Sequence, residues 1–351
     1  MKRLTLAAIF ILVFNSPGAL AVRVPGLYEA EVPVAGQQVE HRRQAVETAM
    51  KRVLVKLTGD RNAGGQTMLL PIIRNAEKFV QQYRYVEAPA AAGGEEPGAG
   101  ERSLKVRYRF DDINLNTALR EAGVEIWSRE RPAVLVWLGM ESDGFRRILV
   151  PEEDPEIFTL VGEKAGERGI VLIYPLFDLE DTSRLRASDI WGGFQRPVLE
   201  ASGRYFPDVV LTGRVESTAP GIWEGRWTAY IGEETSSWST EGSYPESVIN
   251  EGIDGVADLL ARTYARGGGG DTGTVRMKVV NITSVEQYAR VLKYLQSLSP
   301  VTRVDVVQVA QGDVEFSLTA HGGGQAVAQA INFGRVLESH DGASGTYRLL
   351  P

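Results

Sequence analysis

Four carboxylates within a dozen positions, Asp178, Glu180, Asp181 and Asp189, are the residues here whose types and spacing suit chemistry. They follow an apolar run, Ile170 to Leu176, which reads as a buried strand. That places them after a strand's carboxyl end, where open α/β sheets bind ligands. Carboxylates so placed can hold a cation or act as general acid and base. An acidic loop is equally a way to stay solvated. Trp191 and Phe194 flank Gly192-Gly193 in the polar-aromatic loop expected over 187–194. Aromatic residues there serve as buried packing or as an exposed anchor for a partner. Asp178, Glu180, Asp189, Trp191 and Phe194 are therefore the candidate partner- or ligand-binding residues. No catalytic set and no metal set is identified.

Other patterns lack their required context. Gly268-x-Gly270-x-x-Gly273 has dinucleotide-binding spacing, but it follows an expected helix and precedes an expected strand, the reverse of what a pyrophosphate site needs. His321-Gly322-Gly323-Gly324 resembles an oxyanion loop, yet the chain has no G-x-S-x-G nucleophile elbow. His41, His321 and His340 lack the close pairing usual in zinc sites. With no cysteine, thiol catalysis, Cys-ligated zinc and iron–sulfur clusters are excluded. No cofactor is expected.

The first residues supply an address. Met1-Lys2-Arg3 is basic, Leu4 to Phe14 is largely apolar, and Ala19-Leu20-Ala21 offers small residues at a cleavage site. This is the layout of a secretory signal peptide cut after Ala21, and its apolar run is too short to span a bilayer. The 351-residue chain carries −7; removing Lys2 and Arg3 leaves 36 basic against 45 acidic residues, or −9. So acidic a chain does not suit general nucleic-acid binding. No later segment is long and apolar enough to span a membrane. Without a cysteine to lipidate, the expectation is a soluble periplasmic protein.

Behind that leader the hydrophobic pattern implies an α+β and α/β multidomain chain. An N-terminal α+β domain, 22–130, reads β-α-α-β-β-α. It has a half-buried strand at Leu27–Val34 and a helix over Val39–Leu57 with Ala45, Val46, Ala49, Met50, Val53, Leu54 and Leu57 inward. A second helix is expected over Met68–Tyr83, a mobile low-complexity loop over Ala88–Gly100, and a helix after Ser103–Phe110 capped by Asp112. An α/β domain, 131–266, has buried strands at Ala133–Leu138, Ile170–Leu176 and Asp208–Val215, then an antiparallel edge hairpin carrying Trp223, Trp227 and Trp238 on one face. A Gly-rich linker, 267–273, leads to a domain over 274–351 that reads β-α-β-β-α-β, the ferredoxin-like split arrangement.

Several blocks carry a family resemblance. Leu27-Tyr28-Glu29-Ala30-Glu31-Val32-Pro33-Val34, Leu54-Val55-Lys56-Leu57-Thr58-Gly59, Tyr174-Pro175-Leu176-Phe177-Asp178-Leu179-Glu180-Asp181 and Asp189-Ile190-Trp191-Gly192-Gly193-Phe194 resemble an exported Gram-negative family catalogued only as a domain of unknown function. The resemblance implies an envelope location and brings no activity or site residues. At the level of fold the domain order is distantly similar to the N-terminal domain of flagellar assembly protein T and the amino-terminal domain of the Tol-system protein B, an analogy that guides function only loosely. The resulting expectation is a non-enzymatic protein that binds another envelope protein or a peptidoglycan component during assembly. The alternative is a periplasmic small-ligand binder or hydrolase using the 178–194 loops.

Overall fold

In the computed structural model, three sheets each gather their own apolar cluster. The structure describes residues 24–88, 103–142, 144–264, 272–298, 300–310, 312–334, 336–340 and 345–350. The expected leader with Ala21, nearly all of the 88–100 loop and most of the Gly-rich linker lie outside these residues.

The N-terminal sheet has the order β1 (Glu29–Pro33), β3 (Ser103–Phe110), β2 (Val80–Ala88), all antiparallel. Pro33 is tolerated because β1 is an edge strand. Helix α1 (Val39–Thr58) buries all seven residues of the expected stripe and ends at Gly59, whose φ of 74° closes it in the left-handed region. The expected helix over 68–83 is different. It is a short α2 (Leu70–Arg74) between 3₁₀ turns at Thr67–Leu69 and Ala76–Phe79. Val80 onward leaves the helix because pairing with β3 satisfies its backbone. Helix α3 (Asp112–Glu121) is capped by Asp111, which accepts from Asn114 N at 2.8 Å. Asp112, the expected cap, instead pairs with Arg129.

The middle sheet runs β5 (Phe145–Ile148), β4 (Ala133–Ser142), β7 (Val209–Ala219), β8 (Ile222–Ile231), β9 (Glu234–Gly242), with β6 (Val171–Ile173) also pairing β4. Strands β4, β6 and β7 are mutually parallel; β8 and β9 form the antiparallel edge hairpin. One face is covered by α4 (Pro155–Arg168) and α8 (Pro245–Tyr264), with Trp227 buried among them. The other is covered in part by α5 (Leu179–Arg184), α6 (Ala187–Gly192) and α7 (Gln195–Ser202), with Trp137 inward. Two expectations are corrected here. The run 170–176 pairs only over 171–173 and is half-buried, because the chain turns away from Tyr174 to cap α5. The 187–194 stretch is mostly helix, not loop.

Buried cations join the first two sheets. Arg168 is 2% exposed and donates to Asp254 and Asp258 on α8 and to Gly59 O beyond α1. Arg131 lies over the Trp127 ring and donates to Lys56 O, Ser128 O and Gly169 O. Burial pushes its guanidinium down to about 9, still charged at neutral pH.

The C-terminal sheet has the order β11 (Val301–Ala310), β12 (Asp313–His321), β10 (Thr272–Val280), β14 (Thr346–Leu349), β13 (Leu337–Ser339), packed on α9 (Val285–Ser297) and α10 (Gly323–Gly334). The elements up to α10 follow the expected order. The single last strand expected over 336–350 is instead a hairpin whose second strand pairs parallel to β10. Among the described residues no helix is long and apolar enough to cross a membrane, and no cluster of His, Asp and Glu could hold a metal ion.

Candidate functional site

The parallel strands stand in the order β6-β4-β7, so the chain leaves β4 for one side, then crosses to the other. The crevice at the carboxyl ends of β4 and β7 is therefore a topological switch point, the usual place for a ligand in an α/β sheet. Helices α5 to α7 cover this face, and Asp178, Glu180, Asp189, Trp191 and Phe194 lie on α5, α6 and their caps and turns.

Asp178 caps α5, accepting from Glu180 N and Asp181 N, each at 3.1 Å. It also takes both arms of the Arg204 guanidinium, at 2.7 and 2.9 Å. Four donors fill a carboxylate's usual acceptor capacity. Arg204 beside it, helped by the two backbone amides, holds the Asp178 carboxyl down at about 2. Glu180 pairs with Arg184 at 3.0 Å and stands 3.6 Å from Arg204. Asp181 is buried and accepts from Phe177 N, Tyr205 Oη and Arg204. Burial, then the hydrogen bond to Asp181, pushes the Tyr205 phenol up to about 12. Asp189 accepts from Arg186 N at 2.8 Å and so closes the first turn of α6. The structure brings Asp178, Glu180 and Asp181 together around Arg204; Asp189 stands apart from them as a cap.

This lattice has a structural consequence. Phe177 (φ 56°) and Phe206 (φ 48°) both occupy the left-handed region, which bulky residues seldom enter. Asp181 and Tyr205 hold the first of these turns: Phe177 N donates to Asp181, and Tyr205 Oη accepts from Leu176 N at 2.9 Å; Phe206 N donates to Gly203 O at 3.3 Å. Segment 176–179 is thereby stitched to 204–206. The result is an apolar rim of Leu176, Leu179 and Phe206, exposed by 66%, 89% and 73%. Phe194, 56% exposed, sits on the turn between α6 and α7. Trp191, by contrast, is buried, its ring over Gly139 and beneath the Arg146 guanidinium.

Stability against pH follows from Asp178. Its folded carboxyl titrates below its ordinary value of 3.8, so its contribution is in place above that value and is lost as pH falls through about 2. Asp178→Asn is expected to lower the thermal midpoint at neutral pH. The difference from wild type should shrink below about pH 4 and vanish near pH 2. A difference unchanged down to that pH would show that the Arg204 pair is not responsible.

Arg204 and Tyr205 were invisible as site residues in the sequence because they lie a helix away from the acids they organise. The same is true of Arg214, on β7 beside Trp191, whose Nη1 donates to Trp191 O.

Comparison with known families gives one finding: residues 21–128 match the family described as Domain of unknown function (DUF8605). The match covers the N-terminal sheet and α1 to α3, the part of the chain bearing the first two blocks of the resemblance. No curated protein matches the chain.

Proposed function

We propose that this is an exported, non-enzymatic protein of the bacterial envelope that binds another envelope component, and that the rim of the middle sheet's helical layer makes the contact. One observation carries the reading: Leu176, Leu179 and Phe206 stand out beside two left-handed turns, the first held by the buried Asp181 and linked to the second through Arg204 and Tyr205. Single exposed apolar residues are ordinary, but a rigid group of them marks an interaction surface. Strained backbone persists only where its surroundings enforce it, and it gathers at functional sites. The leader-like first 21 residues support export.

The acids support this assignment over cation binding or acid–base work, because their acceptor positions face Arg204 and backbone amides. The partner is expected to present an apolar surface to the rim, which a protein does more readily than the polar glycan of peptidoglycan. Photo-crosslinking from position 206 in intact cells tests this, with Phe145 on β5, 79% exposed, as the control aromatic.

A further inference from the structure

A second feature of the middle sheet lies away from the rim. The helical layer stops at Trp191, and the rest of that sheet face is an open groove of about 550 Å³. Its lining includes Trp191, Arg214, Arg226, Thr228, Ser237 and Ser239. The volume is within the range of small-molecule sites.

The register places Arg214 directly opposite Arg226, and Arg226 opposite Ser239. Like charges opposite one another in a sheet destabilise it unless something lies between them to offset the repulsion. Arg226 has Glu224 at 2.8 Å. For Arg214 the described residues provide a carbonyl, Trp191 O, and no carboxylate at ion-pair distance. Thr228 and Ser237, paired across the hairpin at 3.1 Å, add hydroxyls that can donate or accept. Glu224 lines the same groove and is taken up by Arg226, which leaves Arg214 as the cation open to a ligand, and the corner lies beside the switch point where α/β sheets take ligands.

We propose that the groove binds an oxyanion, a phosphate or carboxylate group borne by a hydrophilic ligand, between Arg214 and Arg226 with the Thr228 and Ser237 hydroxyls on its flank. Guanidinium forks match both groups in shape and charge. The net charge of −7 works against non-specific anion uptake, so binding should map to these residues.

The test is titration calorimetry on the full mature chain with two probes, inorganic phosphate and galacturonate. They separate a phosphate source from an acidic-sugar source. At least one is expected to bind at millimolar concentration or better. Arg214→Gln should weaken that binding about tenfold or more, as loss of a charge-assisted contact does. Because Arg214 also holds Trp191, Arg226→Gln on the exposed side serves as the second variant and should weaken it likewise. Arg196→Gln, on α7 and paired with Glu200, should leave it unchanged. Binding of neither probe overturns the proposal, as does binding that both groove variants leave intact. Neither result bears on the rim, which these residues do not touch.

Discussion

Arg168→Ala is expected to cost about 3–5 kcal/mol, because it breaks a buried ion pair and leaves charge behind. The side chain is 3% exposed and donates at 2.6 Å to both Asp254 and Asp258. It also donates to Gly59 O at 2.8 Å, so the same residue fastens α8 to the end of α1. Lys164, 2.9 Å from Asp254, offsets only part of the loss. A fall in the thermal midpoint on the order of ten degrees would follow. Asp254→Ala in the same chain should be much less damaging once Arg168 is gone, since the acid left under-compensated is then removed while Asp258 keeps Arg61 at 2.6 Å. Additive losses from the two substitutions would show that Arg168 and Asp254 act separately.

The next largest effect concerns Trp227. Its ring is 1% exposed and is clamped between two glycines, Gly213 on β7 and Gly252 on α8. A Cβ at either glycine would overlap the indole. The indole Nε1 donates to Thr240 Oγ1 at 3.0 Å, so the ring is held at its polar end as well. Trp227→Ala should cost about 3–5 kcal/mol through the cavity it opens. Gly252→Ala should cost about 1–3 kcal/mol through overpacking. Trp227→Phe combined with Gly252→Ala should cost less than the two added, because the smaller ring leaves room for the methyl. Denaturant unfolding of the four chains decides it; strict additivity would mean that the ring and the helix do not touch as described.

Particular elements show why some of this was legible in the sequence. Helix α1 was readable to within one residue because seven apolar positions follow one helical stripe and Gly59 ends it. Two of the three buried strands expected in the middle sheet, β4 and β7, announce themselves as apolar runs, and the tryptophans of the hairpin fall on one face as their alternation implies. Periodicity failed where tertiary pairing decided. Val80 to Tyr83 could continue a helix, but β3 offered a partner strand. Residues 336–350 looked like one strand because their apolar pattern does not separate Leu337–Ser339 from Thr346–Leu349.

The candidate site was half legible. The position of the acids after a strand was sound, but the stretch read as loop is helical, and the capping roles of Asp178 and Asp189 come from those short helices. The partner that organises them, Arg204, lies 26 positions beyond Asp178, and nothing local signals it. The Arg214–Arg226 juxtaposition was hidden by a bulge. Ala219 pairs with Ile222, but Ser217 pairs with Trp223, so the register slips by one around Thr218. Without that slip Arg214 would face Trp227, and the two guanidinium groups would not meet.

Contact through the rim is the central claim, and photo-crosslinking tests it most directly. A photoreactive phenylalanine analogue at position 206, on the full chain exported by intact cells, should give one defined protein adduct. The same analogue at position 145, equally exposed on β5, should not. Leu179→Asp, at the first turn of α5 where an acid is well tolerated, should abolish the adduct without lowering the thermal midpoint. No adduct from position 206, the same adducts from both positions, or an adduct indifferent to Leu179→Asp would contradict the account.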